Sequence, residues 1–165
     1  MAADLGRRCE QMGVRLDRAL VESAALLHDV DKILSPADRP AGSHGDSGAR
    51  WLSDRGFRAL AAPVRGHPVT RMRDGAWFDA WIVSASLEAK IVAYADKRSG
   101  QRLISLEQRF DGWRKRHPEY AASLDEAWPR ARRLEDDVCQ VAGVRPAEIR
   151  RVRWVRRELA RIAAR

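Results

Sequence analysis

The apolar run Ala24-Ala25-Leu26-Leu27-His28-Asp29-Val30-Asp31-Lys32 ends in a histidine and a carboxylate. Small and apolar residues without a breaker predict a helix, which starts after Asp17 as a plausible N-cap. His28 lies on an apolar face of that helix. A histidine and an aspartate at the end of such a helix need a partner, because burying them unpaired costs free energy. A divalent metal would satisfy both. The alternative is a histidine hydrogen-bonded in the core beside an aspartate at a helix end.

Two further histidines and one more aspartate supply groups of the same kind. His44 and His67 follow on turn-rich segments. Asp96 lies in the run Lys90-Ile91-Val92-Ala93-Tyr94-Ala95-Asp96-Lys97, on a helical face that is otherwise apolar. A carboxylate on that face is costly unless a cation lies opposite. We therefore expect Asp96 to face His28 across the core, close enough to share one ion.

The order His-Asp, His, His, Asp, with Leu-Leu-His-Asp first and Tyr-Ala-Asp-Lys-Arg last, resembles the HD-domain superfamily of metal-dependent phosphohydrolases. The resemblance covers roughly residues 5 to 120. It implies a helical bundle with a divalent metal at its centre, and hydrolysis of a phosphomonoester or phosphodiester, often on a nucleotide. It also implies that His28, Asp29 and Asp96 are metal ligands, and that His44 and His67 complete a second metal position. Imidazole and carboxylate ligands suit Fe, Mn, Zn, Ni or Co, as one ion or two.

The sequence departs from the pattern of this superfamily at one point. Members of the superfamily usually carry another histidine ligand on the first helix, whereas no histidine precedes His28 here. Two explanations stay open. The chain begins after that ligand, or the protein works with fewer ligands or as a non-catalytic binding module.

Charged residues near the motifs are candidates for the chemistry. Lys32 follows the histidine by one helical turn, so its cation could hold a phosphate oxygen of the substrate. The alternative is a solvated lysine that the helix dipole favours. Lys97 and Arg98 are further candidates for the substrate contact. Asp31 and Asp46 are available as general bases or as supports for the ligands, and Asp31 is the candidate catalytic carboxylate.

Composition limits the class of protein. A chain of 165 residues with 45% hydrophobic residues predicts one folded domain with a real core. We find no apolar run near the roughly 18 residues of a membrane span and no signal-peptide pattern, which predicts a cytoplasmic protein without a membrane partner. The two cysteines, Cys9 and Cys139, lack metal or redox spacing and are expected to be buried thiols.

The net charge of +8 is placed unevenly. Residues 1–96 carry 13 basic and 13 acidic side chains, whereas residues 97–165 carry 18 and 10. This asymmetry suggests an anionic partner, such as nucleic acid, near the C-terminal third; a solvated arginine-rich surface is the alternative. The last helix has an apolar stripe of Ile149, Val152, Val155, Leu159 and Ile162. Its other faces carry Arg150, Arg151, Arg153, Arg156, Arg157 and Arg161. The helix is expected either to dock by its stripe or to contact nucleic acid.

The remaining pattern predicts an all-α fold, a compact HD-domain-like bundle of roughly seven to nine helices. Residues 1–165 are expected to form a single HD-type domain, with a basic helical extension from about 120–165. Predicted helices are 2–12, 17–32, 44–55 with Ser43 as N-cap, 57–65, 86–98, one from Ser105, 119–142 and one from Pro146. Residues 68–85 are expected to be a loop whose three large aromatic side chains cover the core, or alternatively form a lid.

Overall fold

The computed structural model describes residues 1–100 and 102–149. Within these residues the chain is all-α, and its one strand-like feature is an isolated bridge between Ser99 and Leu103. The α-helices are α1 Ala2–Gln11, α2 Arg18–Leu27, α3 Val30–Ile33, α4 Asp46–Asp54, α5 Arg58–Gly66, α6 Gly75–Ser84, α7 Leu87–Arg98, α8 Leu106–Arg116 and α9 Ala121–Val141. Short 3-10 helices cover Val69–Arg73, Pro118–Tyr120 and Pro146–Glu148. The all-α class and the number of helices are confirmed.

Local capping sets most helix boundaries. The side chains of Asp17, Ser86 and Ser105 each accept a hydrogen bond from a main-chain N–H three residues later. These are the caps that the sequence predicts for α2, α7 and α8. Gly13 and Gly56 follow α1 and α4 with φ angles of 81° and 88°, a conformation that a side chain disfavours. The predicted ends of both helices are therefore confirmed.

The start of α4 differs from the prediction. Gly45, with a φ of 85°, is the N-cap, and the helix begins at Asp46 rather than directly after Ser43. The hydroxyl of Ser43 donates instead to the carboxylate of Asp46 at 2.5 Å. The main-chain N–H of Gly45 donates to Asp31 at 2.9 Å, which fixes the loop before α4. A contact between two distant segments, rather than the local cap, decides where this helix starts.

Segment 68–85 is mainly helical, so the predicted loop is wrong. Asp74 caps α6 by accepting from a main-chain N–H three residues later. Phe78 is fully buried, and Trp77 and Trp81 stack with ring centroids 5.5 Å apart against the core. The aromatic residues thus cover the core, as expected. Apolar side chains surround most of the circumference of this helix, so its sequence has no amphipathic helical pattern.

The helix that carries the histidine stops earlier than predicted. α2 ends at Leu27, and the chain turns at Asp29, with φ −100° and ψ 17°, before the single turn α3. His28 is therefore the C-cap residue of α2, and Asp29 is the N-cap residue of α3. The break places both polar side chains at helix ends.

The core forms around α7, which contacts α1, α2, α5, α8 and α9. Its residues Ile91 and Tyr94 are fully buried in the larger apolar cluster, while Val92 faces a smaller one formed with α4 and α5. Cys9 and Cys139 are buried and unbonded to each other, as predicted. No helix in the described part of the chain is both long and apolar enough to cross a membrane.

The predicted C-terminal helix is described only at its beginning. Ile149 is buried at the edge of the larger cluster. The other stripe residues and all six arginines lie in 150–165, outside the described residues. Their contact with nucleic acid, and the division of the chain into a single domain with a basic extension, stay predictions.

Candidate metal centre

Helix ends bring three histidines and two aspartates to one place. His28 and His67 are the C-cap residues of α2 and α5, and Asp29 is the N-cap residue of α3. His44 lies in the loop before α4, and Asp96 lies in the last turn of α7. These ends meet because α2 and α5 both pack against α7 and against each other.

Asp29 contacts all three histidines. Its Oδ1 lies 3.2 Å from Nε2 of His44 and 3.4 Å from Nε2 of His67. Its Oδ2 lies 3.5 Å from Nε2 of His28. The same Nε2 of His28 lies 3.6 Å from Oδ1 of Asp96. Asp96 therefore approaches His28 as the sequence predicts, and Asp29 contacts His28 through one oxygen and the other two histidines through the second.

The other ring nitrogen of each histidine, Nδ1, lies within hydrogen-bond distance of an oxygen outside the cluster. Nδ1 of His28 lies 2.8 Å from a carbonyl oxygen of α2, and Nδ1 of His67 lies 2.6 Å from one of α5. Nδ1 of His44 lies 3.0 and 3.1 Å from the carboxylate oxygens of Asp31. Since these oxygens only accept, each Nδ1 carries a proton, and Nε2 of the neutral ring presents a lone pair. Histidines that bind metals are oriented in this way.

The exposed lone pairs fit a shared cation. Nε2 of His44 and Nε2 of His67 are 3.0 Å apart, so a proton or a cation must lie between these two nitrogens. Oδ1 of Asp29 is buried and accepts no well-aligned hydrogen bond from the described residues, and Nζ of Lys32 lies 2.9 Å from it. Two ligand atoms that each lie about 2.1 Å from a tetrahedral ion are about 3.4 Å apart. The neighbouring ligand atoms here are separated by 3.0 to 3.6 Å.

Charge in the cluster favours a positive occupant. Burial alone would raise the pKa values of Asp29 and Asp96. The imidazoles beside them, together with Lys32 beside Asp29 and Lys97 beside Asp96, outweigh it and hold both pKa values well below the usual range. The Asp29 carboxylate raises the pKa of His44. Burial would lower the pKa of His28, but Asp96 outweighs it and raises that pKa, whereas burial lowers the pKa of His67. Both carboxylates are ionised. Lys32 beside Asp29 and Lys97 beside Asp96 balance part of their charge, and a metal ion could balance the rest.

The HD domain family matches residues 1–101, more than half of the chain. The protein belongs to the HD domain family. HD domains bind divalent metals and are generally hydrolases. In this HD domain, the ligand atoms of His28, Asp29 and His67 all lie within 4.8 Å of one another, so the cluster could hold a metal. No curated protein and no solved structure matches the chain.

Asp31 supports the HD-domain cluster from behind. Its side chain is buried and accepts from the main-chain N–H of Gly45 at 2.9 Å, the hydroxyl of Ser47 at 3.0 Å and the ring of His44. With its oxygens engaged and shielded from solvent, Asp31 does not fit the predicted role of catalytic base. It fits the alternative role, the orientation of a ligand.

Lys32 lies at the mouth of the cluster. Its Nζ lies 2.9 Å from each carboxylate oxygen of Asp29, and its side chain is 56% exposed. The turn at Asp29, rather than a continuous helix, brings the ammonium there. Its contact with a substrate phosphate stays a prediction.

Lys97 and Arg98 do not fit the substrate contacts predicted for them, because both side chains are buried. Nζ of Lys97 donates to two main-chain carbonyls and lies 3.6 Å from Oδ2 of Asp96, behind the cluster. Arg98 extends away from the cluster, and its Nη1 donates to Oε1 of Glu135 at 3.1 Å and to the hydroxyl of Tyr94. Lys97 balances charge beneath the site, and Arg98 joins α7 to α9.

An open cleft of about 580 Å³ adjoins one side of the cluster. His28, Asp29 and Asp96 form part of its wall, and α1, α2 and α7 contribute mainly small apolar residues. Sequence reasoning missed one lining residue, Arg109 of α8. No motif or spacing marks Arg109 among the many arginines of the chain.

Proposed function

We propose that this HD domain is a metal-dependent phosphohydrolase that hydrolyses a phosphomonoester or phosphodiester, with a nucleotide as the favoured substrate class. One observation carries the proposal. Three imidazole Nε2 atoms and two carboxylates converge, with neighbouring ligand atoms 3.0 to 3.6 Å apart, and the Nδ1 of each ring is engaged elsewhere. The cofactor is a divalent transition metal, Fe, Mn, Zn, Ni or Co, as one ion or two.

The five clustered side chains are the proposed metal ligands. His28, Asp29 and Asp96 would hold one metal ion, and His44 and His67 would complete a second position. The ligand atom of His67 lies within 4.8 Å of those of His28 and Asp29, so it could also join the first. A divalent ion held there polarises a phosphoryl oxygen and activates water as the nucleophile near neutral pH.

Two residues next to the ligands have supporting roles: one orients a histidine ring and the other binds the substrate phosphate. Asp31 keeps Nε2 of His44 aimed at the cluster, because it holds Nδ1 of that ring and is itself fixed by Gly45 and Ser47. Lys32 presents an exposed ammonium to a phosphate oxygen at the mouth. A phosphate bound at the mouth would compete with Asp29 for the ammonium of Lys32.

Metal analysis and a hydrolysis panel test the proposal together. The purified protein is analysed for metals and then assayed with p-nitrophenyl phosphate, bis-p-nitrophenyl phosphate, nucleoside monophosphates and cyclic nucleotides. We expect hydrolysis of at least one ester, its loss with a chelator, and its return when one divalent metal is restored. A metal-loaded protein that hydrolyses none of these esters contradicts the proposal.

Two aspartate-to-asparagine substitutions provide a test variant and its matched control. Asp29→Asn removes the charge that contacts all three histidines, and we expect it to abolish both bound metal and hydrolysis. Asp54→Asn makes the same change at an exposed position on α4 and should preserve both. Full metal content in Asp29→Asn would show that the cluster is not the metal site.

The alternative function is a non-catalytic HD-fold module that binds nucleic acid or a protein partner through its arginine-rich end. It rests on residues 150–165, which lie outside the described part of the chain. Salt-dependent binding of nucleic acid without any turnover would favour it over the hydrolase.

A further inference from the structure

Arg109 lies on the wall of the cleft, beyond the part of the chain that the HD domain family matches. Its guanidinium carbon lies 4.7 Å from the ring centre of Trp113, one turn later on α8. Its Nη1 lies against Gly100, where an added Cβ would come within 3.0 Å. Gly100 follows Asp96 by four residues. The guanidinium is thus held between an aromatic ring and the segment that leaves the cluster.

The guanidinium of Arg109 has no acceptor in the described part of the chain. Its Nε is buried without a hydrogen-bond partner there. By contrast, Arg114 on the same helix is paired with Asp111 and Asp125. A buried donor without an acceptor is costly, so such groups in native proteins call for an explanation. A guanidinium that is oriented, unpaired and on a cleft wall is suited to an anionic ligand.

The other charged residues of the cleft are Glu22, which pairs with Arg18, and the cluster carboxylates Asp29 and Asp96. Arg109 is the one lysine or arginine among the described residues that line it. The apolar part of the wall consists of Met1, Ala2, Ala3, Ala25, Leu26, Val92 and Ala95. A volume of about 580 Å³ lies within the range of small-molecule sites. The predicted phosphate contact Lys32 does not line this cleft, so Arg109 approaches a ligand from a different direction.

We propose that Arg109 is a substrate-binding residue that holds an anionic group of the substrate, a phosphate or a carboxylate, inside this cleft. The inference rests on the proposed function, because it takes the cleft beside the metal cluster as the place where the substrate binds. The planar guanidinium can donate hydrogen bonds to two oxygens of such a group at once, and Trp113 keeps its plane oriented. Small apolar side chains of α1, α2 and α7 contact the uncharged body.

The test compares Arg109→Gln with Arg116→Gln, a change at an exposed position on the same helix that does not line the cleft. Isothermal titration measures the binding of inorganic phosphate and of acetate to each metal-loaded protein. We expect phosphate affinity to fall about 10- to 100-fold in Arg109→Gln, as the loss of a charged hydrogen bond predicts. Arg116→Gln should match the wild type, and the metal content of both should be unchanged. If Arg109→Gln weakens the binding of acetate but not of phosphate, the anionic group of the substrate is a carboxylate.

Turnover separates this inference from the proposed function. If the wild type hydrolyses an ester, Arg109→Gln should raise KM by a similar factor while it retains metal. Unchanged KM and unchanged affinity for both anions would overturn the role of Arg109 and leave the hydrolase intact. If the wild type binds metal but hydrolyses nothing, phosphate binding that depends on Arg109 still supports the anion site. Failure of the wild type to bind either anion overturns it.

Arg109→Lys distinguishes the loss of an anion contact from a folding defect. It keeps the cation next to Trp113 but loses the fork of donors, so we expect phosphate affinity between those of the wild type and Arg109→Gln. Thermal unfolding of all four proteins checks that they are folded. Phosphate affinity in Arg109→Lys no better than in a folded Arg109→Gln would mean that the charge does not bind the anion, which contradicts the proposal.

Discussion

Replacing Asp96 by asparagine should affect more than metal binding. From the sequence alone, Asp96→Asn is expected to leave the fold largely intact, because the isostere relieves a buried charge. The structure adds Lys97, whose side chain is completely buried with its Nζ 3.6 Å from Oδ2 of Asp96. Removing the carboxylate leaves that ammonium without its neighbouring counter-charge.

The size of the effect follows from the geometry. Two unit charges 3.6 Å apart attract each other by roughly 4–5 kcal/mol at the effective dielectric constant of about 20 that suits protein sites. Three factors reduce the loss. Asp96 is 19% exposed, its removal ends its repulsion of Asp29, and Lys97 keeps two carbonyl acceptors. Burial also lowers the pKa of Lys97, so the ammonium can lose its proton. We expect a net loss of about 1–3 kcal/mol in the free energy of unfolding, less than for a fully buried pair.

A double-mutant cycle measures this coupling. Urea unfolding of the metal-free protein at pH 7 is compared for the wild type, Asp96→Asn, Lys97→Met and the double variant. Asp96→Asn should lower the free energy of unfolding by about 1–3 kcal/mol when residue 97 is lysine. In the Lys97→Met background it should lower it by less than about 0.5 kcal/mol. An equal cost in the two backgrounds would refute the reasoning. In metal titrations, Asp96→Asn should bind metal more weakly than the wild type.

Three further predictions concern the surroundings of the site. Glu135→Gln leaves Arg98 buried without its carboxylate and should lower the free energy of unfolding by about 3 kcal/mol, measured with urea; a loss below about 1 kcal/mol would contradict it. Asp31→Asn should weaken metal affinity about 10- to 100-fold by releasing the ring of His44, measured by competition with a chromogenic chelator; unchanged affinity would disprove the orienting role. Gly45→Ala forces a side chain into a φ of 85° and to within 2.8 Å of a proline, so both the melting temperature and the metal content should fall; the wild-type value of either would count against this.

Short-range interactions explain what could be predicted from the sequence. The caps at Asp17, Ser86 and Ser105 are hydrogen bonds between residues three apart, so the residue type and its neighbours suffice to place them. The approach of Asp96 to His28 was also predictable, because each is a polar group on an apolar helical face. That argument identifies which groups need a partner, but it does not describe what surrounds them.

The tertiary structure decided the features that depend on distant segments. The amino-acid sequence by itself determined an all-α chain with a His-Asp cluster, through local hydrogen bonds and the periodicity of apolar residues. It did not show that Lys97 is buried, because the carbonyl that accepts from its ammonium belongs to His67 of another helix. Nor did it distinguish Arg109 from other arginines, since packing against Trp113 and Gly100 places that side chain on the cleft. The burial and pairing of a charged side chain depend on which helices surround it, and only the packed fold determines that.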